Sequence, residues 1–165
     1  EYRNMALTKI NNNTLSAITG LPAAIATGKV LQMVSSTSGS ATALTGTGDI
    51  HGLTATLTTV ANSSLYIFGH CGHYVSSATS SSWGGTGPLI ISTGGNSHVA
   101  ETEHAGEITF NSSEVTAHLS LSTVVTGLSA GSHTYKLRGG STGGQTLNWH
   151  RSGVAGGIFI FEIGA

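Results

Sequence analysis

The stretch Gly52–Val60, GLTATLTTV, decides the fold. Leu53, Ala55 and Leu57 alternate with Thr54, Thr56 and Thr58. A period of two places the apolar set on one face of a β-strand and the threonines on the other. Two further stretches repeat the pattern. In EVTAHLSLSTVV, Val115, Ala117, Leu119 and Leu121 oppose Thr116, His118, Ser120 and Ser122. In SHTYKLR, His133, Tyr135 and Leu137 oppose Thr134, Lys136 and Arg138.

Working outward, further strands are predicted at Val30–Ser35, Ala41–Thr47, Leu65–Val75, Leu89–Ser92, His98–Glu103, Glu107–Phe110, Leu147–His150 and Ile158–Ile163. Gly/Ser/Thr/Asn clusters such as STGGNS and GGSTGGQ separate them as turns. Many short strands with no long helix predict an all-β protein, an antiparallel sandwich or barrel.

The N-terminal part reads differently. Leu7, Ile10, Leu15, Ile18, Leu21 and Ile25 recur every three to five positions, but Gly20 and Pro22 interrupt any single helix. Residues 5–28 are therefore read as an arm of short turns, packed on its own domain or docked on a partner. Residues 1–4 precede a start-like MALTK and are read as a tag remnant or processing boundary. Residues 29–165 form the domain.

Composition narrows the function. The chain has 165 residues, enough for one well-buried domain, and only 8% are charged, against a typical share of roughly 25%. Its net charge of -1 points to neither nucleic acid nor an anionic membrane. No apolar run reaches the ~20 residues of a membrane-inserted helix. The single cysteine excludes an intrachain disulfide. The polar surface falls to Ser, Thr, Gly, Asn and His, which suits a stable virion or cell-surface protein.

Chemistry is thin. GHCGHY sets His70, Cys71 and His73 close together, but strand alternation turns His70 and His73 to opposite faces. Cys71 and His73 share a face, and two ligands do not close a structural metal site. No metal or other cofactor is therefore predicted. Glu101, Glu103, Glu107 and His104 read as a solvated cluster rather than an acid–base site. GLSAG at Gly127–Gly131 spells GxSxG but lies between two strand patterns instead of opening a helix, so it is no nucleophile elbow; the lone Asp49 leaves few ways to orient a histidine, and no phosphate-binding GK[ST] follows the glycines. Seven acidic residues, three of them in that one cluster, give little scope for the paired carboxylates of a glycosidase. The chain is read as not an enzyme. Candidate ligand contacts are Tyr74, Trp83, His98, Trp149 and His150, read as loop residues, with Ser76–Gly87 the adaptable loop.

Two stretches carry a resemblance. MALTKINNNTLSAITGLPAAIATGKVLQ resembles the N-terminal segment of small bacteriophage virion proteins, particularly of marine phages. VTGLSAGSHTYKLRGG…GGIFIFEIGA resembles the C-terminal half of their globular domains. The resemblance implies a jelly-roll β-sandwich similar in outline to the heads of complement and tumour-necrosis-factor proteins, assembled as a homotrimer on the virion. It also implies a tail-fibre or receptor-binding role toward a host-surface glycan or protein, with the arm joined to other virion proteins. A capsid decoration (cement) protein and a lectin-like module are the alternatives.

GIFIFEIGA gives this expectation a location. Ile158, Ile160 and Glu162 lie on one face, and Phe159, Phe161 and Ile163 on the other. A sandwich strand buries one face within its own domain and turns the other to solvent. The second apolar face needs cover from the arm or another subunit, and the resemblance favours a subunit round a threefold axis. Phe159, Phe161 and Ile163 are thus the expected trimer interface. Arg138 or Lys136 is the expected partner of Glu162.

Overall fold

The computed structural model describes residues 28–75, 83–102, 107–109, 115–141, 146–150 and 155–164. Residues 1–4, the arm up to residue 27 and residues 76–82 of the expected loop lie outside these segments.

Eleven strands follow one another among the described residues: β1 Val30–Ser38, β2 Thr42–Leu44, β3 Gly48–Thr59, β4 Ser64–Val75, β5 Trp83–Thr93, β6 His98–Glu101, β7 Glu107–Thr109, β8 Val115–Val125, β9 Gly131–Ser141, β10 Leu147–Trp149 and β11 Gly156–Ile163. They form two antiparallel sheets. The six-stranded sheet runs β1-β11-β4-β10-β2, with β8 also on β4. β8 pairs with β4 from Val75 to Leu65, so β11 and β10 lie end to end along the opposite edge. The five-stranded sheet runs β3-β9-β5-β6, with β7 also on β5. The connections β2–β3, β3–β4, β4–β5, β7–β8, β8–β9 and β9–β10 cross between the sheets, which makes this an antiparallel β-sandwich.

The alternation read in the sequence sets what faces inward. Leu53, Ala55 and Leu57 of β3 and Tyr135 and Leu137 of β9 meet Leu65, Ile67 and Cys71 of β4, Leu119 of β8 and Ile158 and Ile160 of β11 in one core. Ile50 also points inward, an odd number of residues before Leu53. A register irregularity between Asp49 and Thr54 restores the parity, and Gly52 at φ 75° supplies the left-handed turn that it needs.

A polar clamp joins the sheets at one end. Glu162 of β11 is 1% exposed. Its carboxylate accepts the Val60 amide at 2.8 Å and Gln32 Nε2 at 2.5 Å. The Gln32 amide also donates to the Thr58 carbonyl at 2.6 Å. Burial pushes the Glu162 carboxyl up, but hydrogen bonds from Gln32, Ser63 and Val60, with His133 nearby, outweigh it and hold the carboxyl below its ordinary value. The expected partners Arg138 and Lys136 are elsewhere. Both reach Asp49 on the outer face of the other sheet, at 2.8 and 2.7 Å. They point outward from β9 whereas Glu162 points into the sandwich, so charge type alone misassigned the pair.

β5 also differs from expectation. Trp83–Gly87, read as part of a loop, belongs to a strand that pairs with β7 at Trp83–Gly85 and with β9 from Thr86. Pairing on both edges overrides the weak strand preference of WGGTGP. Pro88 falls in the register irregularity between Thr86 and Leu89, where proline is tolerated.

Candidate functional site

The outer face of the six-stranded sheet carries the largest group of unpaired apolar side chains in the described residues. Register aligns them in rows across β1, β11, β4 and β8. Met33, Phe161, Tyr66 and Val124 form one row. The next contains Ser35, Phe159, Phe68 and Ser122, and the one after it Thr37, Gly157, His70 and Ser120. Met33 is 54% and Val124 59% exposed, and Leu31 and Tyr66 are also open to solvent.

The rings interlock along the face. Tyr66 and Phe161 have centroids 6.2 Å apart, as do Phe68 and Phe159. His70 stacks on Phe159 at 5.9 Å with the planes 10° apart, and on His118 at 5.4 Å. Burial lowers the His70 pKa, and the neighbouring His118 lowers it further. The face is therefore polarised, with aliphatic and aromatic groups at one end and two imidazoles at the other. Glu162 is the sole Asp, Glu, Lys or Arg in these four strands, and it points inward.

Phe159, Phe161 and Ile163 all project from the same side of β11, opposite the buried Ile158, Ile160 and Glu162. Tyr66, Phe68, His70, Met33 and Val124 join them, and sequence reading had not assembled that group. The period-two parity of LYIFGH marks Tyr66, Phe68 and His70 as one face, but the register decides that this face continues from β11.

The candidate ligand contacts separate. Tyr74 pairs with Asn148, and His73 with Trp149, where β4 meets β10. Trp149 and His150 are fully buried. Burial takes both out of reach of a surface ligand, correcting the loop-contact reading. The Trp149 ring lies 5.1 Å from His73, and Cys71 Sγ lies 3.6 Å from His150 Nδ1. His150 adopts φ 62°, a turn conformation that points its ring into the core. Burial pushes the Cys71 thiol up to about 12, against the His150 backbone hydrogen bond, and presses His73 down to about 4 with help from His118. These are packed interior groups. His98 is exposed, with Nδ1 3.0 Å from Glu101. Trp83 begins β5, in the other sheet.

No group of three His, Cys, Asp or Glu among the described residues is placed to hold a metal ion. His70 faces out, and Cys71 and His73 face in.

No known family matches the chain. No curated protein matches it. Matches do occur among solved structures, 14 chains in all. One belongs to the structure of infectious bursal disease virus, Gx strain, at 13% identity and a TM-score of 0.41. That match covers 81% of this chain and 32% of the other, so this chain spans about a third of its length. At that TM-score the likeness carries no argument about this protein.

Proposed function

We propose that this protein is a non-enzymatic structural protein of a phage particle, whose jelly-roll head assembles as a homotrimer through the outer face of the β1-β11-β4-β8 sheet. The observation that carries the assembly is the row Met33, Phe161, Tyr66 and Val124, an apolar band that crosses four strands and has nothing over it among the described residues. Soluble monomers seldom leave a contiguous apolar patch of this kind uncovered. A second copy is the occupant that suits it, because the band is uncharged and a charged partner would find no counterpart there. The resemblance of the chain's two ends to small phage virion proteins supports the place on the particle. In that setting the head is the exposed part, and a tail-fibre role in binding a host-surface glycan or protein is the reading we adopt.

Burying one Phe contributes roughly 1.5–3 kcal/mol, and a threefold arrangement repeats each contact three times. Phe161→Asp, and Val124→Asp at an exposed position, each place a carboxylate inside the interface, where it has no partner. Sedimentation of the parent should give three times the 16.7 kDa chain mass. Both variants should give folded monomers by circular dichroism, or aggregate in the case of Phe161→Asp. A monomeric parent, or variants that remain trimers, sinks the assembly. Copy number per purified particle tests the fibre role, since a decoration protein is present in far more copies.

A further inference from the structure

The two ends of the aromatic face differ in one chemical respect. The end with Met33, Phe161, Tyr66 and Val124 has no group that changes charge in mild acid, whereas the other carries His70 and His118 in a stack. We propose that this imidazole stack makes the homotrimer acid-labile, so that the particle head is held together at neutral pH and loosened when His70, stacked on His118, takes up a proton. The inference rests on the assembly reading above and assigns its regulation.

Among the described residues, the surroundings of the stack leave a protonated ring without an anionic partner. β11 presents Gly157 and the Phe159 ring to His70. β8 presents Ser120 and His118. β4 itself contributes Phe68 and Tyr74 on this side and His73 on the other. β1 contributes Thr37 in the same row and Ser35 in the next, and β10 contributes no charged residue. Glu162 faces the interior, bound to Val60 and Gln32. β6, which packs against β8, carries Glu101, and that carboxylate is bound to His98. Each cation formed here meets another histidine or an aromatic ring and finds no free carboxylate among the described residues of these strands.

The sign follows from burial. Covering His70 with a second copy removes water from it and disfavours its charged form further. The separated chains then bind more protons than the assembly, so falling pH favours separation. One proton taken up per chain, three per trimer, weakens the assembly by up to roughly 1,000-fold per pH unit below the free pKa. Two buried groups act in other ranges. His73 needs a pH near 4, and Glu162 stays ionised below the ordinary carboxyl range.

Sedimentation velocity of the full chain at pH 8, 6.5 and 5 tests this, with intrinsic tryptophan fluorescence to verify that the domain stays folded. Parent protein should sediment as a trimer at pH 8 and as a folded monomer at pH 5. The double variant His70→Gln, His118→Gln should remain a trimer at both. A parent that stays trimeric at pH 5 overturns the inference and leaves the assembly standing. A double variant that dissociates along with the parent also overturns it, because other groups would then be responsible. A parent that is monomeric at pH 8 overturns both readings.

Discussion

Replacing Glu162 by alanine tests the clamp that ties the two sheets together at one end. The carboxylate is buried, accepts the Val60 amide and Gln32 Nε2, and is further held by Ser63. In Glu162→Ala, the Val60 amide loses its partner, while Gln32 keeps the Thr58 carbonyl and Ser63 keeps the Val60 carbonyl. One buried backbone donor left unsatisfied costs about 1–3 kcal/mol, and bonds to a charged group are worth about 1.5–3 kcal/mol. Release from burying the carboxylate offsets part of this, so the variant should lose about 2–4 kcal/mol. Glu162→Gln keeps the shape and one acceptor but aims an NH2 at neighbouring donors, and should lose about 1–2 kcal/mol. Urea unfolding at one fixed protein concentration measures both, because assembly adds concentration-dependent stability. The folded carboxyl lies below its unfolded value of about 4.3. Its contribution is therefore fully present above that pH and fades as pH falls through the folded pKa. The gap between parent and Glu162→Gln should narrow over that acid range. An alanine variant within 0.5 kcal/mol of the parent, or a glutamine variant costlier than alanine, would refute the clamp.

Two further outcomes follow from the packing. A Cβ at Gly139 would sit 2.2 Å from Trp149 Cε2, so Gly139→Ala should displace the buried indole and cost about 1–3 kcal/mol, visible as a lower urea midpoint and a shifted tryptophan emission; an unchanged midpoint contradicts the packing. The Cys71 thiol is 0% exposed and raised to about 12, so a thiol reagent at pH 8 should label it only once urea unfolds the chain. Rapid labelling of the native protein would show that the β4–β10 corner opens.

How far the sequence reached is clearest strand by strand. The alternation in GLTATLTTV, EVTAHLSLSTVV and SHTYKLR gave the all-β class and the inward set Leu53, Ala55, Leu57, Leu119, Tyr135 and Leu137. The double apolar face of GIFIFEI was likewise legible, since the direction of a side chain on a strand depends only on parity along one segment. Gly52 shows the limit of that rule. The bulge there shifts parity by one, and no local pattern announces it.

Register is a relation between segments distant in the chain, and only the tertiary structure supplied it. Phe161 stands beside Tyr66 because β11 pairs with β4 across nearly a hundred residues, and Val124 joins because β8 takes the other edge. The same cause explains the reassigned residues. Glu162 binds the Val60 amide rather than a lysine or arginine because β3 ends opposite it. Trp149 and His150 are interior because β10 inserts against the end of β4 and turns their rings inward. Side-chain parity is local covalent geometry, so the order of residues specifies it directly. Which faces are covered, and by what, depends on how the strands come together, a sum of many small pairing and burial energies that no short stretch contains.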